Sequence, residues 1–329
     1  MTRPQRVLVT GGAGFIGSHL AERLLGDGAQ VTVVDNLSTG RWENIANISN
    51  HPNFRAIVAS CAERELMEAE IARHDLVYHL ASAVGVKLII ERPVETVDTI
   101  FHTTDVVLKA ASKFRRPVLL TSTSEVYGKS EDIPFREDAD VVMGATSKRR
   151  WAYACAKALD EFLVLAHFYQ THLPVFIVRL FNTVGPRQSG QYGMVLPNFV
   201  HSALENRPIT VYGDGTQRRC FCAVGDVVEA LVRLPLTPAA AGMVVNVGSQ
   251  EEVTIRELAE RCRAACGSKS EIVQIPYDSA YGPGFDDMRR RVPDLKRVKE
   301  LIGWSPTQAL DQIIAGVVEY LRASPPRAV

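Results

Sequence analysis

The chain has 329 residues, of which 46% are hydrophobic and 22% charged, so a disordered or fibrous protein is excluded and a globular one is predicted. Its 37 Lys and Arg balance 37 Asp and Glu, which leaves no global charge to recruit nucleic acid or an acidic membrane surface. No stretch is apolar for long enough to span a membrane and the six cysteines show no metal-ligand spacing, so we predict a cytoplasmic protein with reduced, mostly buried thiols and no metal site.

Short apolar runs alternate with helical patterns through the first half of the chain. Glycines and then apolar residues at helical spacing separate the first two runs, so the chain begins with strand, turn, helix and strand. Fully apolar strands separated by helices are typical of a parallel sheet covered on both faces. We therefore predict an α/β fold with a Rossmann-type doubly wound parallel sheet, whose strands lie near residues 6–10, 31–35, 55–58, 75–79, 117–121 and 175–179.

The pattern becomes irregular after Asn182, which predicts a smaller C-terminal α+β lobe. Helices are expected near 224–234, 255–266 and 310–321, and strands at 219–224 and 244–248. We expect the strand at 244–248 to return to the main sheet. The dinucleotide-binding domain would then comprise residues 1–181 with returning segments near 220–248, and the substrate-binding lobe would lie mainly in 182–329.

A glycine motif follows the first predicted strand and opens the first helix. Its sequence, Gly12-Ala-Gly14-Phe-Ile-Gly17, matches Gly-x-Gly-x-x-Gly in the place that dinucleotide binding requires. The early glycines let backbone N–H groups approach a pyrophosphate at the positive end of the helix, and the last lets helix and strand pack closely. The expected cofactor contacts here are Gly11, Gly14, Phe15, Ile16 and Gly17.

Asp35 ends the second predicted strand, where a carboxylate accepts hydrogen bonds from both hydroxyls of a ribose. The same charge would repel a 2′-phosphate, so the predicted cofactor is NAD in preference to NADP, although Arg41 lies a little downstream. Asn36, next to Asp35, and Leu80, at the end of the fourth predicted strand, are also expected to line the cofactor site.

Tyr153 and Lys157 lie one helical turn apart in Trp-Ala-Tyr-Ala-Cys-Ala-Lys. A tyrosine acts as a general base near neutral pH only if a cation lowers its pKa, and a lysine at i+4 lies on the same helix face. Together with the glycine motif, the pair predicts dehydrogenase chemistry on a bound dinucleotide, with Lys157 as a further cofactor contact.

Further sequence blocks, in order along the chain, carry a resemblance to a known family. They are Thr121-Ser-Thr-Ser-Glu-Val-Tyr-Gly128, Arg179-Leu-Phe-Asn-Thr-Val-Gly-Pro-Arg187 and Val211-Tyr-Gly-Asp-Gly215. Nearly end to end, the chain resembles the extended short-chain dehydrogenase/reductases of the NAD-dependent epimerase/dehydratase family, which act on nucleotide sugars. This resemblance implies a catalytic triad of Thr123, Tyr153 and Lys157 that oxidises C4 of a UDP-sugar with NAD.

The residues after Thr123 narrow the resemblance to UDP-glucuronate decarboxylases. Those enzymes carry the same Thr-Ser-Glu-Val-Tyr-Gly segment, an Arg-Trp pair like Arg150-Trp151, and an Arg-Cys-Phe segment like that beginning at Arg219. Oxidation of a uronate at C4 gives a β-keto acid, which loses its carboxyl group as carbon dioxide. The resemblance then implies that Ser124, Glu125 and Arg219 position the uronate and steer the protonation that follows.

Other residues are implied to bind the remainder of the substrate. Arg187 and Arg291 would meet the phosphates and Asn182 would hold the sugar-diphosphate. Val195 lies in a segment that would border the nucleotide base.

Several alternatives stay open on the sequence alone. Glu125 could cap a turn, and Arg219 could form a salt bridge with Asp226 or Asp214. A C4 epimerase needs the same triad, and so does a 4,6-dehydratase, although Ser124 stands where many dehydratases have an aspartate. A non-catalytic NAD-binding regulator of the same fold would typically have lost the tyrosine or the lysine.

The chain departs from the family at one helix, where Asn-x-x-Gly-Thr is replaced by Ile100-Phe-His-Thr103-Thr104. The resemblance also implies a homodimer through a four-helix interface that includes the helix of Tyr153. The side chains that would supply this face, or alternatively core, are Leu159, Phe162, Leu163 and Ala166.

Overall fold

A computed structural model describes residues 4–82, 91–191, 193–277, 279 and 288–323 of the protein. The strands in these ranges are β1 (Arg6–Thr10), β2 (Gln30–Asp35), β3 (Phe54–Val58), β4 (Leu76–His79), β5 (Val118–Thr123), β6 (Val175–Leu180), β7 (Thr183–Val184), β8 (Ile209–Tyr212), β9 (Arg218–Cys220), β10 (Cys222–Ala223), β11 (Met243–Val247), β12 (Glu252–Thr254), β13 (Ile272–Ile275) and β14 (Arg290–Arg291). The α-helices are α1 (Phe15–Gly26), α2 (Arg64–Arg73), α3 (Pro93–Phe114), α4 (Trp151–Thr171), α5 (Val195–Leu204), α6 (Val224–Arg233), α7 (Ile255–Cys266), α8 (Lys296–Ile302) and α9 (Leu310–Ala323).

Seven of the strands form one parallel sheet in the order β3-β2-β1-β4-β5-β6-β11. In the middle of the sheet, Val9 of β1 lies opposite Val33 on one side and Tyr78 on the other. All three side chains are buried, because helices cover both faces, and this is why the strands read as continuous apolar runs. The strand order reverses between β1 and β4, which opens a crevice at their carboxyl ends. The predicted doubly wound Rossmann-type sheet is confirmed.

Each face of the sheet carries its own hydrophobic core. On one face α1 and α6 pack together and contribute Leu20 and Leu231 to a core shared with β1 and β6. On the other face α2, α3 and α4 form a layer in which Val107 and Val164 pack against β5 and β6. The helix that carries Tyr153 is therefore held between the sheet and α3.

A third core lies in the second half of the chain and joins α5, α7 and α9. Phe199, Leu258 and Ile314, one from each of these helices, are buried together there. Short strands complete this lobe in three small sheets, β12-β9-β14, β13-β8 and β10-β7. The predicted smaller α+β lobe thus has a core of its own, and the division at residue 181 stays a prediction.

The three helices predicted in the second half are confirmed within two residues at their ends. The strand predicted to return to the main sheet is also confirmed, since β11 pairs in parallel with β6. The single strand predicted at 219–224 is wrong. The chain changes partner at Phe221, whose ring enters the third core, so β9 pairs with β12 and β14 whereas β10 pairs with β7.

None of the described helices is both long and apolar enough to cross a lipid bilayer. All six cysteines are free thiols, and four of them are buried. Burial raises the pKa of the Cys61 thiol to about 12, which makes it a poor nucleophile. In the described ranges, no three His, Cys, Asp or Glu side chains are grouped so that they could hold a metal ion.

Candidate active site

The glycine motif forms a tight turn between β1 and α1. Gly11 has a φ of 69°, in the left-handed region, and a Cβ there would lie 2.7 Å from the backbone N of Ala81. A Cβ on Gly17 would lie 2.2 Å from the carbonyl oxygen of Gly11. Next to Ala81, the Leu80 N–H donates to the Thr10 carbonyl at 3.1 Å, which ties the end of β4 to this turn. Only glycine lets strand, turn and helix approach so closely.

The turn presents the amino end of α1 at the carboxyl edge of the sheet. Gly14 is the N-cap and has no side chain to bond the first N–H groups of the helix. Those groups belong to Phe15, Ile16 and Gly17, and with the helix dipole they make a site for an anion. The five glycine-motif residues predicted to contact a cofactor come together here, in a cradle that suits a pyrophosphate.

Asp35, at the end of β2, faces the same turn. Its two carboxylate oxygens accept the backbone N–H of Ala13 at 2.9 Å and of Leu37 at 2.8 Å. Burial raises the pKa of Asp35, and these hydrogen bonds oppose the rise. The carboxylate keeps further lone pairs for the hydroxyls of a ribose. Asn36 is exposed, and its side-chain oxygen accepts the Ser38 N–H at 3.1 Å.

Thr123 and Tyr153 meet at the carboxyl end of β5. Thr123 is the last residue of that strand, Tyr153 lies in the first turn of α4, and their side chains hydrogen-bond. Burial, the largest effect, raises the pKa of Tyr153, and the nearby Glu125 carboxylate raises it further. The hydrogen bond with Thr123 and the charge of Arg291 lower it. Without further positive charge, this tyrosine stays protonated near neutral pH.

Tyr153 is buried because it packs against Ile100 of α3 and Ala156 of its own helix. Ile100, the first residue that departs from the family sequence, is 1% exposed, so its apolar side chain is packed in the protein interior at this position. Thr103, the second departure, donates its hydroxyl to the Thr99 carbonyl at 2.7 Å within α3. The two helices therefore pack normally behind the tyrosine.

Lys157 is also buried, and its Nζ lies 3.1 Å from Asp160 Oδ2. Asp160 is not among the site residues predicted from the sequence. The sequence has a feature that could have identified Asp160, because residues 153, 157 and 160 are spaced as on one face of a helix.

Glu125 lies between two arginines beside the tyrosine. Its carboxylate oxygens are 3.5 Å from Arg150 Nη1 and 3.5 Å from Arg291 Nη1, and all three side chains are at most 13% exposed. Ser124, next to it in a short 3₁₀ turn, is buried. The carboxylate faces guanidinium groups, which does not fit the alternative of a turn cap. In the sequence, Arg150 stands out only as part of the Arg-Trp pair that resembles the decarboxylases. Its position just before α4, the helix of Tyr153, is the sequence feature that could have indicated a place in the site.

Arg219 and Arg291 are direct neighbours, since their Cα atoms are partners in the parallel pair of β9 and β14. Arg219 Nη1 donates to the Arg218 carbonyl at 2.8 Å. The carboxylate of Asp226 accepts from the backbone N–H and the hydroxyl of Thr307, so this acid serves the segment before α9.

The remaining predicted substrate residues have contacts to partners other than Tyr153. Arg187 Nη2 donates to Glu22 Oε1 at 2.6 Å, which places this arginine beside α1. Asn182 Nδ2 donates to the Cys220 carbonyl at 2.9 Å and thereby joins the two halves of the chain. Val195 is the first residue of α5 and is partly buried. Their roles in substrate binding stay predictions.

Comparison with known proteins gives the family of this fold and site. Residues 8–317 match the family described as GDP-mannose 4,6 dehydratase. The chain belongs to this family. Its membership confirms the resemblance to the extended epimerase/dehydratase enzymes that the sequence blocks indicate.

Relatives of this family member include decarboxylases and an epimerase. A UDP-N-acetyl-alpha-D-glucosaminuronate decarboxylase of Bacillus cytotoxicus is 41% identical over 97% of this chain and 98% of its own. A UDP-glucuronic acid decarboxylase 1 of Danio rerio is 36% identical over 96% of this chain and 72% of its own. A solved structure of a UDP-glucuronic acid 4-epimerase mutant from Bacillus cereus, in complex with UDP-4-deoxy-4-fluoro-glucuronic acid and NAD, has a TM-score of 0.87 at 26% identity, over 96% of this chain and 99% of its own.

The close approach at Gly17 predicts a matched pair of outcomes. Gly17→Ala places a Cβ against the Gly11 carbonyl and forces α1 away from the turn, so affinity for NAD should fall at least about tenfold in calorimetric titration. Gly26→Ala, at the other end of α1, meets no atom within 4 Å and should leave the affinity unchanged. Equal affinities of the two variants would contradict the assignment of this turn.

Proposed function

We propose that the protein is an NAD-dependent enzyme that decarboxylates a UDP-hexuronate through transient oxidation at C4, with UDP-glucuronate as the first candidate. The observation that carries the proposal is the position of Glu125, between two buried arginines and beside the pair of Tyr153 and Thr123. Guanidinium groups beside the tyrosine suit a sugar with a carboxylate on C5. Two relatives at 41% and 36% identity are decarboxylases of such sugars.

NAD fits the turn between β1 and α1, because the glycines leave room for a pyrophosphate against the first N–H groups of the helix. When bound, NAD accepts a hydride from the C4 carbon of the sugar and can return it. The residues that would hold NAD are Gly11, Gly14, Phe15, Ile16, Gly17, Asp35, Asn36, Leu80 and Lys157.

Tyr153 is the base that takes the proton of the C4 hydroxyl. Thr123 hydrogen-bonds the tyrosine and is placed to hold the same hydroxyl. Burial and the Glu125 charge oppose an ionised tyrosine, so cations must offset them. Arg291 supplies one, and Lys157 supplies another from the same helix face.

Once C4 carries a carbonyl, the carboxylate on C5 belongs to a β-keto acid. The C5–C6 bond breaks, carbon dioxide leaves, and the electron pair forms a C4–C5 double bond with the charge on the C4 oxygen. Tyr153 and Thr123 already surround that oxygen and stabilise its charge by hydrogen bonding. C5 then takes a proton from solvent, which gives a 4-keto-pentose. When the hydride is returned to C4, Tyr153 gives its proton back to the C4 oxygen and the pentose results.

Arg291 was expected at the phosphates, but it lies beside Glu125 and next to Arg219. We therefore assign Arg291 to the uronate carboxylate and keep Arg219 as its neighbour in this task. Ser124 and Glu125, on the turn after β5, orient the sugar ring and the proton delivered to C5. Arg150 compensates the charge of Glu125 when Arg291 turns to the substrate.

A second candidate substrate is UDP-N-acetylglucosaminuronate, which the 41% identical relative from Bacillus cytotoxicus favours. It shares the C5 carboxylate and C4 hydroxyl, so the mechanism is unchanged. C4 epimerisation is the alternative reaction, favoured by the structural likeness to a UDP-glucuronic acid 4-epimerase. A 4,6-dehydratase ranks third, and a regulator is disfavoured because the tyrosine and lysine are both present.

Six free cysteines agree with a cytoplasmic location, which we also propose.

The proposal is tested by incubating the protein with NAD and each uronate and identifying the products by mass spectrometry. Loss of carbon dioxide supports decarboxylation, whereas an isomer of unchanged mass would mean an epimerase. Tyr153→Phe should lower the rate by roughly 10²–10⁴-fold, because the base is removed. Tyr169→Phe, on the same helix but 69% exposed, should keep the wild-type rate. Full activity of Tyr153→Phe would contradict the mechanism.

A second prediction separates two neighbouring arginines. Arg291→Gln removes a guanidinium beside Glu125, so KM for UDP-glucuronate should rise at least about tenfold through loss of a charge-assisted contact. Arg290→Gln removes an arginine that pairs with Glu252 at the surface and should leave KM unchanged. Steady-state kinetics on UDP-glucuronate measure both. Equal effects would show that Arg291 has no part in binding the uronate.

We also propose that the protein forms a homodimer through α3 and α4. These helices pack side by side, and Phe101, Leu159 and Phe162 are 40%, 49% and 65% exposed on them. Leu163 turns partly into the core and Ala166 is partly exposed, so the predicted face is narrower than the sequence indicated. Three large apolar side chains on one helix pair suit a second copy of the same surface.

Phe162→Glu should make the protein monomeric, because two copies of the new charge would be buried against apolar surface. Light scattering coupled to gel filtration measures the mass. Met243→Glu, at another exposed apolar site at the start of β11, should keep the wild-type mass. A wild-type protein that is already monomeric would refute the proposed interface.

A further inference from the structure

Lys157 is held by a carboxylate that the proposed mechanism does not use. The side chains of Lys157 and Asp160 are 3% and 0% exposed, and they lie 3.1 Å apart on one face of α4. A buried charge is tolerated when an opposite charge or hydrogen bonds compensate it. In the described structure, Asp160 Oδ1 has no hydrogen-bond donor within reach, so the carboxylate depends on Lys157 at its other oxygen.

A series of buried side chains leads from this pair to the end of β1. The hydroxyl of Thr104, on α3, faces the Asp160 carboxylate and lowers its pKa, against the larger effect of burial, which raises it. Thr104 Oγ1 lies 3.2 Å from His79 Nε2, and His79 Nδ1 lies 2.8 Å from Thr10 Oγ1. Thr10 is the residue before the glycine turn.

The hydrogen bonds of this chain have one consistent direction. Burial and the Lys157 charge lower the pKa of His79 to about 3, so its ring is neutral, with one donor and one acceptor nitrogen. Thr10 Oγ1 accepts the Ala81 N–H at 3.3 Å, which leaves its own proton for His79 Nδ1. His79 Nε2 then donates to Thr104 Oγ1. The Thr104 hydroxyl faces the Asp160 carboxylate, at which this series of side chains ends.

We propose that Asp160 is a positioning residue that fixes the Lys157 ammonium and joins it, through Thr104 and His79, to the glycine turn. The inference rests on the proposed function, since it assumes that Lys157 serves Tyr153 and the cofactor. The same Ala81 N–H that donates to Thr10 lies so close to Gly11 that a Cβ on Gly11 would be 2.7 Å from its nitrogen. The helix α4 and the glycine turn are thereby held in a fixed position relative to each other.

Asp160 also sets the charge around the tyrosine, because its carboxylate raises the pKa of Tyr153. The other titratable and charged groups that face this region come from α4, β4, β6, the turn after β5, and β14, with the polar Thr104 from α3. They are Tyr153, Lys157, Glu161, His79, Arg179, Glu125 and Arg291. Removing one negative charge from this set makes ionisation of Tyr153 easier.

The first test is Asp160→Asn, which keeps the shape and an acceptor oxygen but removes the charge. With NAD saturating, the acid limb of kcat/KM for UDP-glucuronate should move to lower pH by roughly one unit. Glu161→Gln is the matched control, since it neutralises the next residue, a buried carboxylate that binds Arg179. The control should lose stability without an equal shift of the pH profile. An unmoved profile in Asp160→Asn, or equal shifts in both variants, would overturn the role.

The second test does not depend on the substrate. Asp160→Leu leaves the Lys157 ammonium without its partner and ends the hydrogen-bond chain, so NAD affinity measured by calorimetry should fall at least about tenfold. Asp160→Asn should bind NAD within about twofold of wild type, which shows that the fold survives at this position. Wild-type NAD affinity in Asp160→Leu would overturn the link to the glycine turn. Failure of the wild type to convert any uronate would instead refute the proposed function alone.

Discussion

The site depends on how α4 buries its charges. Lys157, Asp160 and Glu161 follow one another on the face of this helix that packs into the protein, and each is nearly inaccessible to water. An unpaired charge in such a place costs several kcal/mol. Lys157 binds Asp160, and Glu161 holds Arg179 of β6 at 2.7 Å, so all these charges are compensated. The pair of Glu161 and Arg179 joins the helix to the sheet and so fixes Tyr153 against Thr123.

The second half of the chain completes this arrangement from the other side. β9 and β14 pair in parallel and bring Arg219 and Arg291 next to each other, and Arg291 reaches Glu125 at the end of β5. The Arg291 guanidinium therefore stands beside a buried tyrosine whose pKa is raised, and Arg219 is its neighbour on the paired strand. A substrate that brings its own carboxylate suits this charge distribution, and this is the physical basis for favouring a uronate.

Much of the fold was predictable because local sequence agrees with it. The main strands are continuous apolar runs, and α7 has the predicted bounds because Thr254 and Glu257 form a capping box and Gly267 ends the helix at a φ of 63°. The glycine motif was equally clear, since its spacing is a property of one turn. Such features depend on neighbours in sequence.

The rest depends on partners far away in sequence, and no local pattern predicts them. The partner of Arg187 within the protein is Glu22, 165 residues earlier. The strand predicted at 219–224 divides because Phe221 enters a core that other elements build. Arg150 gained a role only when the fold placed Glu125 beside it.

The central claim is that carbon dioxide leaves only after C4 has been oxidised. The most direct measurement offers the enzyme and NAD a UDP-glucuronate analogue that lacks the C4 hydroxyl and carries ¹³C in its carboxylate. The account predicts that the analogue binds as a competitive inhibitor of UDP-glucuronate and releases no labelled carbon dioxide. Release of labelled carbon dioxide from the analogue would contradict the account, because decarboxylation would then proceed without a carbonyl at C4.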